Sequence, residues 1–399
     1  MNILCLLTLL IHQLSITTGA DYVASSVEDE IRPPVAAGER VAIHSSVPLN
    51  LRYSFSFTDP NIGHYLPGGY QGLGIGVLNF GSLNPGGFSK SMRNIGYPVE
   101  VYLFQGGPIL HFNRRLSLEY EWNFGAAIGW KPYSAANHAF NLAVGSQVNA
   151  YLHLGLGLKW QLLDNLGLMA GLGVSHFSNG NTSFPNPGVN SFGLRLGIIY
   201  SFGRMPSQDI NEITNDHSGD EPDYSGDERE LRNKLQYDIS MWGSTRKRVY
   251  RGGDNPVLLP GHFACAGLSF APMVSLNKWW RVGGSLDLQY DHSAGMPKGI
   301  NLPVDGSGDL NSTNELPGHP SFWHQVSAGI SAHGELRMPI FAVNIGVGYN
   351  FVAPWENRGS YQNIALKTYF CSRMFLNIGY QLRNFHQQSS LMLGLGVTL

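Results

Sequence analysis

Residues 116–130 read LSLEYEWNFGAAIGW, and the alternation along this stretch decides the fold class. Large or apolar side chains occupy the even positions, whereas small or polar side chains occupy the odd positions. Successive side chains of a strand point to opposite faces, so the stretch has one apolar face and one small or polar face. The same alternation returns at 142–159 and 391–399. It predicts strands that face hydrocarbon on one side and a lumen on the other.

The composition of the 399-residue chain favours the same class. Only 14% of the residues are charged, 12% are aromatic and 49 are glycine, whereas soluble domains carry nearer a quarter charged residues. No segment approaches 18 consecutive apolar residues, so the sequence predicts no transmembrane helix. We therefore expect an all-β protein, a transmembrane antiparallel β-barrel of the bacterial outer membrane. The net charge of −2 provides no basic field for nucleic acid.

The alternating segments predict about fourteen strands between residues 70 and 399. Short and long connections alternate between them, as expected for periplasmic turns and external loops. We predict one barrel of about fourteen strands, with one half at 70–203 and the other at 234–399. The alternative is two smaller barrels of about eight strands, with residues 21–69 supplying the missing ones. The acidic segment 204–233 has little apolar content and is interpreted as a flexible connector.

The N-terminus is predicted to be a signal peptide over residues 1–20. Residues 3–11 form a short apolar run, and the small residues at 18–20 suit a cleavage site. Residues 21–69 are then interpreted as a periplasmic lead-in to the barrel.

The stretch GVSHFSNG, at 173–180, places polar residues at the end of a predicted strand. His176 and Ser178 continue the apolar, lipid-facing column of that strand, and their spacing of two residues lets them touch. Asn190 begins the next strand on the same face. The turn count places all three at the external end of the barrel, beside the outer leaflet.

These residue types suit nucleophilic catalysis. Ser178 would attack an ester while His176 takes its proton and returns it to the leaving group. Asn190 would orient the imidazole, and Asn179, or a backbone N–H of the turn at Gly180, would stabilise the oxyanion. The other reading is ordinary interfacial polarity at a strand end.

The segment 175–202 resembles the motif region of the outer-membrane lipid A 3-O-deacylase family, also called acyloxyacyl hydrolase-like. The resemblance rests on His176-Phe177-Ser178-Asn179 at a strand end and on Pro185-Asn186-Pro187-Gly188 before the next strand. It covers roughly residues 70–203. It implies a barrel that removes an ester-linked acyl chain from lipid A or another outer-leaflet lipid, with Ser178 as nucleophile and His176 as base.

One position departs from the family pattern. Well-known members carry Glu two residues after the loop glycine, where this chain has Asn190. The alternative function is therefore a non-catalytic barrel that is structural, lipid-binding or a channel and keeps a relic motif. The 14 histidines show no metal-ligand spacing, and we predict no cofactor.

Overall fold

The architecture was obtained as a computed structural model. The structure describes residues 11–24, 45–56, 68–81, 95–132, 143–183, 188–203, 234–247, 249–250, 257–258, 261–277, 279–294, 321–338, 341–353, 358–369, 373–385 and 387–399.

The first eight described strands close into an antiparallel barrel, here called the N-terminal barrel. Consecutive strands pair with each other, and the ring closes where the first strand pairs with the eighth. Their bounds are β1 Ile11–Ala24, β2 Ser45–Ser56, β3 Tyr70–Gly81, β4 Gly96–Asn113, β5 Leu116–Trp130, β6 Val148–Leu163, β7 Leu166–Ser178 and β8 Val189–Gly203.

Eight further described strands close into a second ring, here called the C-terminal barrel. Its strands are β9 Leu235–Arg246, β12 Phe263–Ser275, β13 Trp280–Asp291, β14 Val326–Arg337, β15 Phe341–Val352, β16 Gly359–Tyr369, β17 Met374–Arg383 and β18 Gln387–Thr398. A two-stranded sheet, β10 Val249–Tyr250 with β11 Val257–Leu258, and a one-turn helix, α1 Phe322–Gln325, lie in its longer connections. Within the described residues, no helix is long and apolar enough to cross a membrane.

The prediction of one barrel of about fourteen strands is wrong, and the alternative of two eight-stranded barrels is confirmed. The fourteen predicted strands correspond to β3–β9 and β12–β18. The N-terminal ring is completed by β1 and β2, which pair with each other and with their neighbours. The closing contacts β1–β8 and β18–β9 leave no strand to join the two rings into one.

The two missing strands lie where the sequence predicted a signal peptide and a periplasmic lead-in. In the structure, Ile11–Ala24 and Ser45–Ser56 are barrel strands instead. The reason is the period-2 pattern, since Gln13, Ser15 and Thr17 are buried while Leu14 and Ile16 are exposed on the outer face. The predicted connector 204–233 lies outside the described residues.

Both barrels carry apolar side chains outside and polar side chains inside. In the N-terminal barrel the lumen contains the ion pair of Arg195 with Asp21 and that of Arg52 with Glu121. The outer wall exposes large apolar side chains, among them Leu154 and Leu196. This distribution is the reverse of a soluble protein and matches a barrel surrounded by lipid.

The lumen of the C-terminal barrel contains an ion network centred on four buried side chains, with Arg337 3.6 Å from one of them, Glu335. Arg281 pairs with Asp238 and Glu335, and Lys367 lies 2.8 Å from Asp238 and 2.6 Å from Glu335. All four side chains are buried. Among these four buried side chains two cations balance two anions, which is the arrangement that buried charges require.

Because every barrel strand pairs within its own ring, we expect the two barrels to stay folded when the chain is cut between them. The test inserts a protease recognition sequence within 204–233 of the full-length protein and cleaves it in detergent. Each fragment should keep the heat-modifiable electrophoretic mobility of a closed barrel, with the uncut chain as control. Loss of that mobility in either fragment would contradict two independently closed rings.

Candidate active site

His176 and Ser178 lie at the end of β7, and the strand alternation fixes their direction. Ser175, which precedes the pair, and Phe177, which lies between its two members, are buried in the lumen. By this alternation His176 and Ser178 belong to the outward-facing column of β7, where His176 is half-buried and Ser178 is buried at the strand end. On the neighbouring strand β6, Leu152 lies opposite His176 and Ala150 lies opposite Ser178. The pair is thus bordered by hydrocarbon on that side.

Asn190 lies directly opposite His176 in the β7–β8 register. The Nδ1 atom of His176 is 2.7 Å from the Oδ1 atom of Asn190. An amide oxygen only accepts hydrogen bonds, so Nδ1 is the donor in this contact and carries a proton. In the neutral imidazole, this contact therefore selects the tautomer whose lone pair is on Nε2.

Ser178 lies two residues along the same face and is 9% exposed. Among the described residues, its hydroxyl is not joined to His176 by a hydrogen bond. In enzymes without substrate, the hydrogen bond between nucleophile and base is often long or poorly aligned and tightens when substrate binds. The missing hydrogen bond between Ser178 and His176 is therefore compatible with a catalytic pair. Asn179 follows directly and is buried, at 4% exposure.

Gly188 packs against both members of the pair. Its φ angle is +79°, a value that residues other than glycine rarely adopt. A Cβ atom at this position would lie 2.8 Å from the carbonyl oxygen of Phe177, 3.0 Å from Cε1 of His176 and 3.5 Å from Cβ of Ser178. Glycine therefore lets the loop approach the imidazole closely. The rest of the loop motif, 185–187, lies outside the described residues.

Two other serine–histidine contacts lie inside the barrels, and sequence reasoning missed both. Ser175 Oγ is 2.8 Å from His153 Nδ1 in the N-terminal lumen. Ser331 Oγ is 2.8 Å from His333 Nε2, and His333 Nδ1 is 2.8 Å from Asn344 Oδ1 in the C-terminal lumen. The reversed order Ser-x-His on a strand would have indicated the second contact.

Neither buried contact has room for an acyl ester. The cavities beside His153 and His333 measure about 40 Å³ each. A water molecule needs roughly 10–15 Å³ on this measure, so each cavity holds only a few waters. Within the described part of the chain, no three His, Cys, Asp or Glu side chains are grouped to hold a metal ion. The outward pair at the end of β7 is therefore the candidate active site.

Two family models match the chain. The model described as "Lipid A 3-O-deacylase (PagL)" matches residues 50–198. The model described as "Acyloxyacyl hydrolase, C-terminal domain" matches residues 235–399. A search of curated proteins found no match.

Two solved structures are similar to parts of this chain at low sequence identity. The crystal structure of Neisserial surface protein A is 11% identical, with 48% of this chain and 97% of that one covered and a TM-score of 0.31. The crystal structure of the outer membrane enzyme PagL is 16% identical, with 46% and 97% covered and a TM-score of 0.28.

The two matched segments together span most of the chain and include strands of both barrels. The outer walls are apolar, as a membrane barrel requires. The chain is an outer-membrane protein and belongs to the lipid A 3-O-deacylase (acyloxyacyl hydrolase) family.

Proposed function

We propose that this chain is an outer-membrane lipid esterase that removes an ester-linked acyl chain from lipid A. The observation that carries the proposal is the 2.7 Å contact between His176 Nδ1 and Asn190 Oδ1, with Ser178 on the same strand face. Family membership supplies the substrate class.

In the proposed reaction, Ser178 Oγ attacks the ester carbonyl carbon and its proton passes to Nε2 of His176. The tetrahedral intermediate collapses, and His176 gives that proton to the departing sugar alkoxide. Water then attacks the acyl-enzyme with His176 again as base, which releases the fatty acid and restores Ser178. Asn179, next to the nucleophile, is the proposed donor to the oxyanion.

The position of the pair favours a lipid substrate over a soluble one. Strand β7 runs from a two-residue turn at 164–165 to the ten-residue connection 179–188. Outer-membrane barrels have short periplasmic turns and longer external loops, so Ser178 lies at the external end. Because Ser178 and His176 also lie on the outward-facing column of β7, a substrate would reach them from the outer leaflet. Lipid A is a lipid whose ester bonds lie at that depth.

An open channel is the weaker alternative. Buried ion pairs such as those of Arg195 and Arg281 occupy the two lumens, and among the described residues the cavities beside His153 and His333 measure only about 40 Å³ each. An eight-stranded ring is just wide enough for its inward side chains. Neither described lumen therefore has the width of an open pore.

Replacing the proposed nucleophile should abolish deacylation. We expect Ser178→Ala to lower the rate by at least about 10³-fold, because loss of a serine nucleophile removes the covalent route. The measurement is mass spectrometry of lipid A from cells expressing each variant. Wild type should remove one hydroxyacyl mass, and so should Ser54→Ala, which changes an inward serine at the opposite end of the barrel. Identical profiles for wild type, Ser178→Ala and an empty vector would overturn the proposal.

Changing Asn190 should tune the rate through the imidazole. We expect Asn190→Asp to raise kcat about tenfold or more, because a carboxylate stabilises the imidazolium that forms in the transition state. Asn190→Leu should lower kcat about tenfold or more, because Nδ1 loses the acceptor that fixes the tautomer. Initial rates on purified lipid A in detergent micelles measure both. If Asn190→Leu keeps the wild-type kcat, Asn190 does not orient His176.

Enlarging Gly188 should disturb the pair without unfolding the barrel. We expect Gly188→Ala to lower kcat about tenfold or more, because the added methyl meets His176 Cε1 and strains a positive φ. The matched control is Gly167→Ala on the same β7–β8 pair, where the nearest atom to an added Cβ is 3.6 Å away. Equal rates for the two variants would show that the loop glycine does not position the imidazole.

A further inference from the structure

The outer wall of the C-terminal barrel carries a groove of about 880 Å³ that shares no residue with the candidate active site. Its volume lies in the range of ligand pockets, roughly 300–1,000 Å³. No charged side chain lines it, and its surface is almost entirely hydrocarbon. An ionic headgroup would find no partner there, whereas an acyl chain would.

The β-sheet register defines the shape of the groove. Gly243 on β9 and Ala266 on β12 lie opposite each other and form the floor. On that row, Leu393 of β18 flanks Gly243, and Tyr290 of β13 flanks Ala266. The pair Met241–Leu268 closes the next row. Two small residues, Gly243 and Ala266, are thus surrounded by large side chains on the face that meets lipid.

Packing within the barrel does not require glycine at 243. A Cβ added there would meet only the carbonyl oxygen of Cys265, at 3.9 Å. The lining glycines Gly267 and Gly394 differ, because an added Cβ would lie 2.3 Å from the Trp242 ring or 2.0 Å from the Met241 carbonyl oxygen. Glycine weakens a strand. A ligand that uses the open space explains its place at 243.

One end of the groove reaches an aromatic cluster at the barrel rim. The Tyr290 ring stacks on Phe322, with centroids 6.0 Å apart, and on His292, at 6.3 Å. Trp323 beside them is 80% exposed. The cluster stands at the end with the long connection between β13 and β14. Aromatic side chains with polar tips mark the membrane–water interface, so this end of the groove meets lipid headgroups.

We propose that the groove over Gly243 and Ala266 is a binding site for one acyl chain of a membrane lipid, whose headgroup lies at the Tyr290–His292 end. The groove is continuous with the apolar wall that contacts the bilayer, which identifies lipid as the occupant. The lining carries no charge, and although Trp242, Gln289 and Tyr290 belong to it, its surface is almost entirely hydrocarbon, which suits an acyl chain better than the polar surface of a protein partner. The site does not depend on the chemistry of Ser178.

The test measures lipid retention by native mass spectrometry of the full-length protein. Every chain carries Ser178→Ala, so that the first barrel cannot consume the probe, dipalmitoyl phosphatidylethanolamine, added to delipidated protein in detergent. We expect the parent chain to retain one lipid and the double variant Gly243→Leu/Ala266→Leu to retain at least tenfold less. The control Ala332→Leu, an exposed outward position on β14 that does not line the groove, should match the parent.

Heat-modifiable electrophoretic mobility checks that each variant is a folded barrel. We expect the variants to fold, because a side chain added at Gly243 enters open space. Equal retention by the double variant and the control would overturn the proposal. So would a parent chain that retains no lipid. A parent dimer that becomes a monomer in the double variant would instead assign the groove to a second copy of the chain and would also overturn it.

Discussion

Hydrogen-bond closure of the strand ring is the constraint on which the rest of this structure depends. Hydrocarbon offers no partner to a backbone N–H or C=O group, so every strand needs a neighbour on both sides. Each ring meets this requirement with eight strands, through β1–β8 in one and β18–β9 in the other. A ring of eight is only wide enough for its own side chains. The lumen is therefore filled by mutually paired polar groups such as Arg281 and Glu335.

A filled lumen leaves the outer wall and the rim as places for chemistry, and it also supports the site from behind. Ser175 and Ser191 lie opposite each other on the inner face, beside His176 and Asn190. Ser191 donates to Asp21, whose partner Arg195 lies 3.4 Å from Ser175. A slip of either strand by one residue would turn the site side chain of that strand inward and separate it from the other. The buried ion pair thus fixes the register that holds His176 opposite Asn190.

The period-2 pattern predicted every barrel strand except β1 and β2, and the omission of these two changed the predicted closure of the barrel. The apolar character of residues 3–11 favoured a leader, which hid the alternation of Gln13 and Ser15 with Leu14. For the site, strand direction was enough to predict that His176 and Asn190 share a face. The positive φ of Gly188 and the buried Ser331–His333 contact depend on tertiary packing, which periodicity does not report.

The neutral side chain at 190 affects the rate of the proposed hydrolysis far more than it affects the stability of the barrel. Asn190 is exposed at the strand end, where a charged residue facing lipid costs only about 0–1 kcal/mol, and acidic residues cost less. Loss of the acid from a serine triad costs about 10⁴ in rate, or roughly 5–6 kcal/mol of transition-state stabilisation. A carboxylate at 190 would therefore destabilise the barrel little and would accelerate hydrolysis. In the proposed reaction, Asn190 keeps the geometry of the base and gives up most of its electrostatic assistance, which makes this site a slow version of the triad.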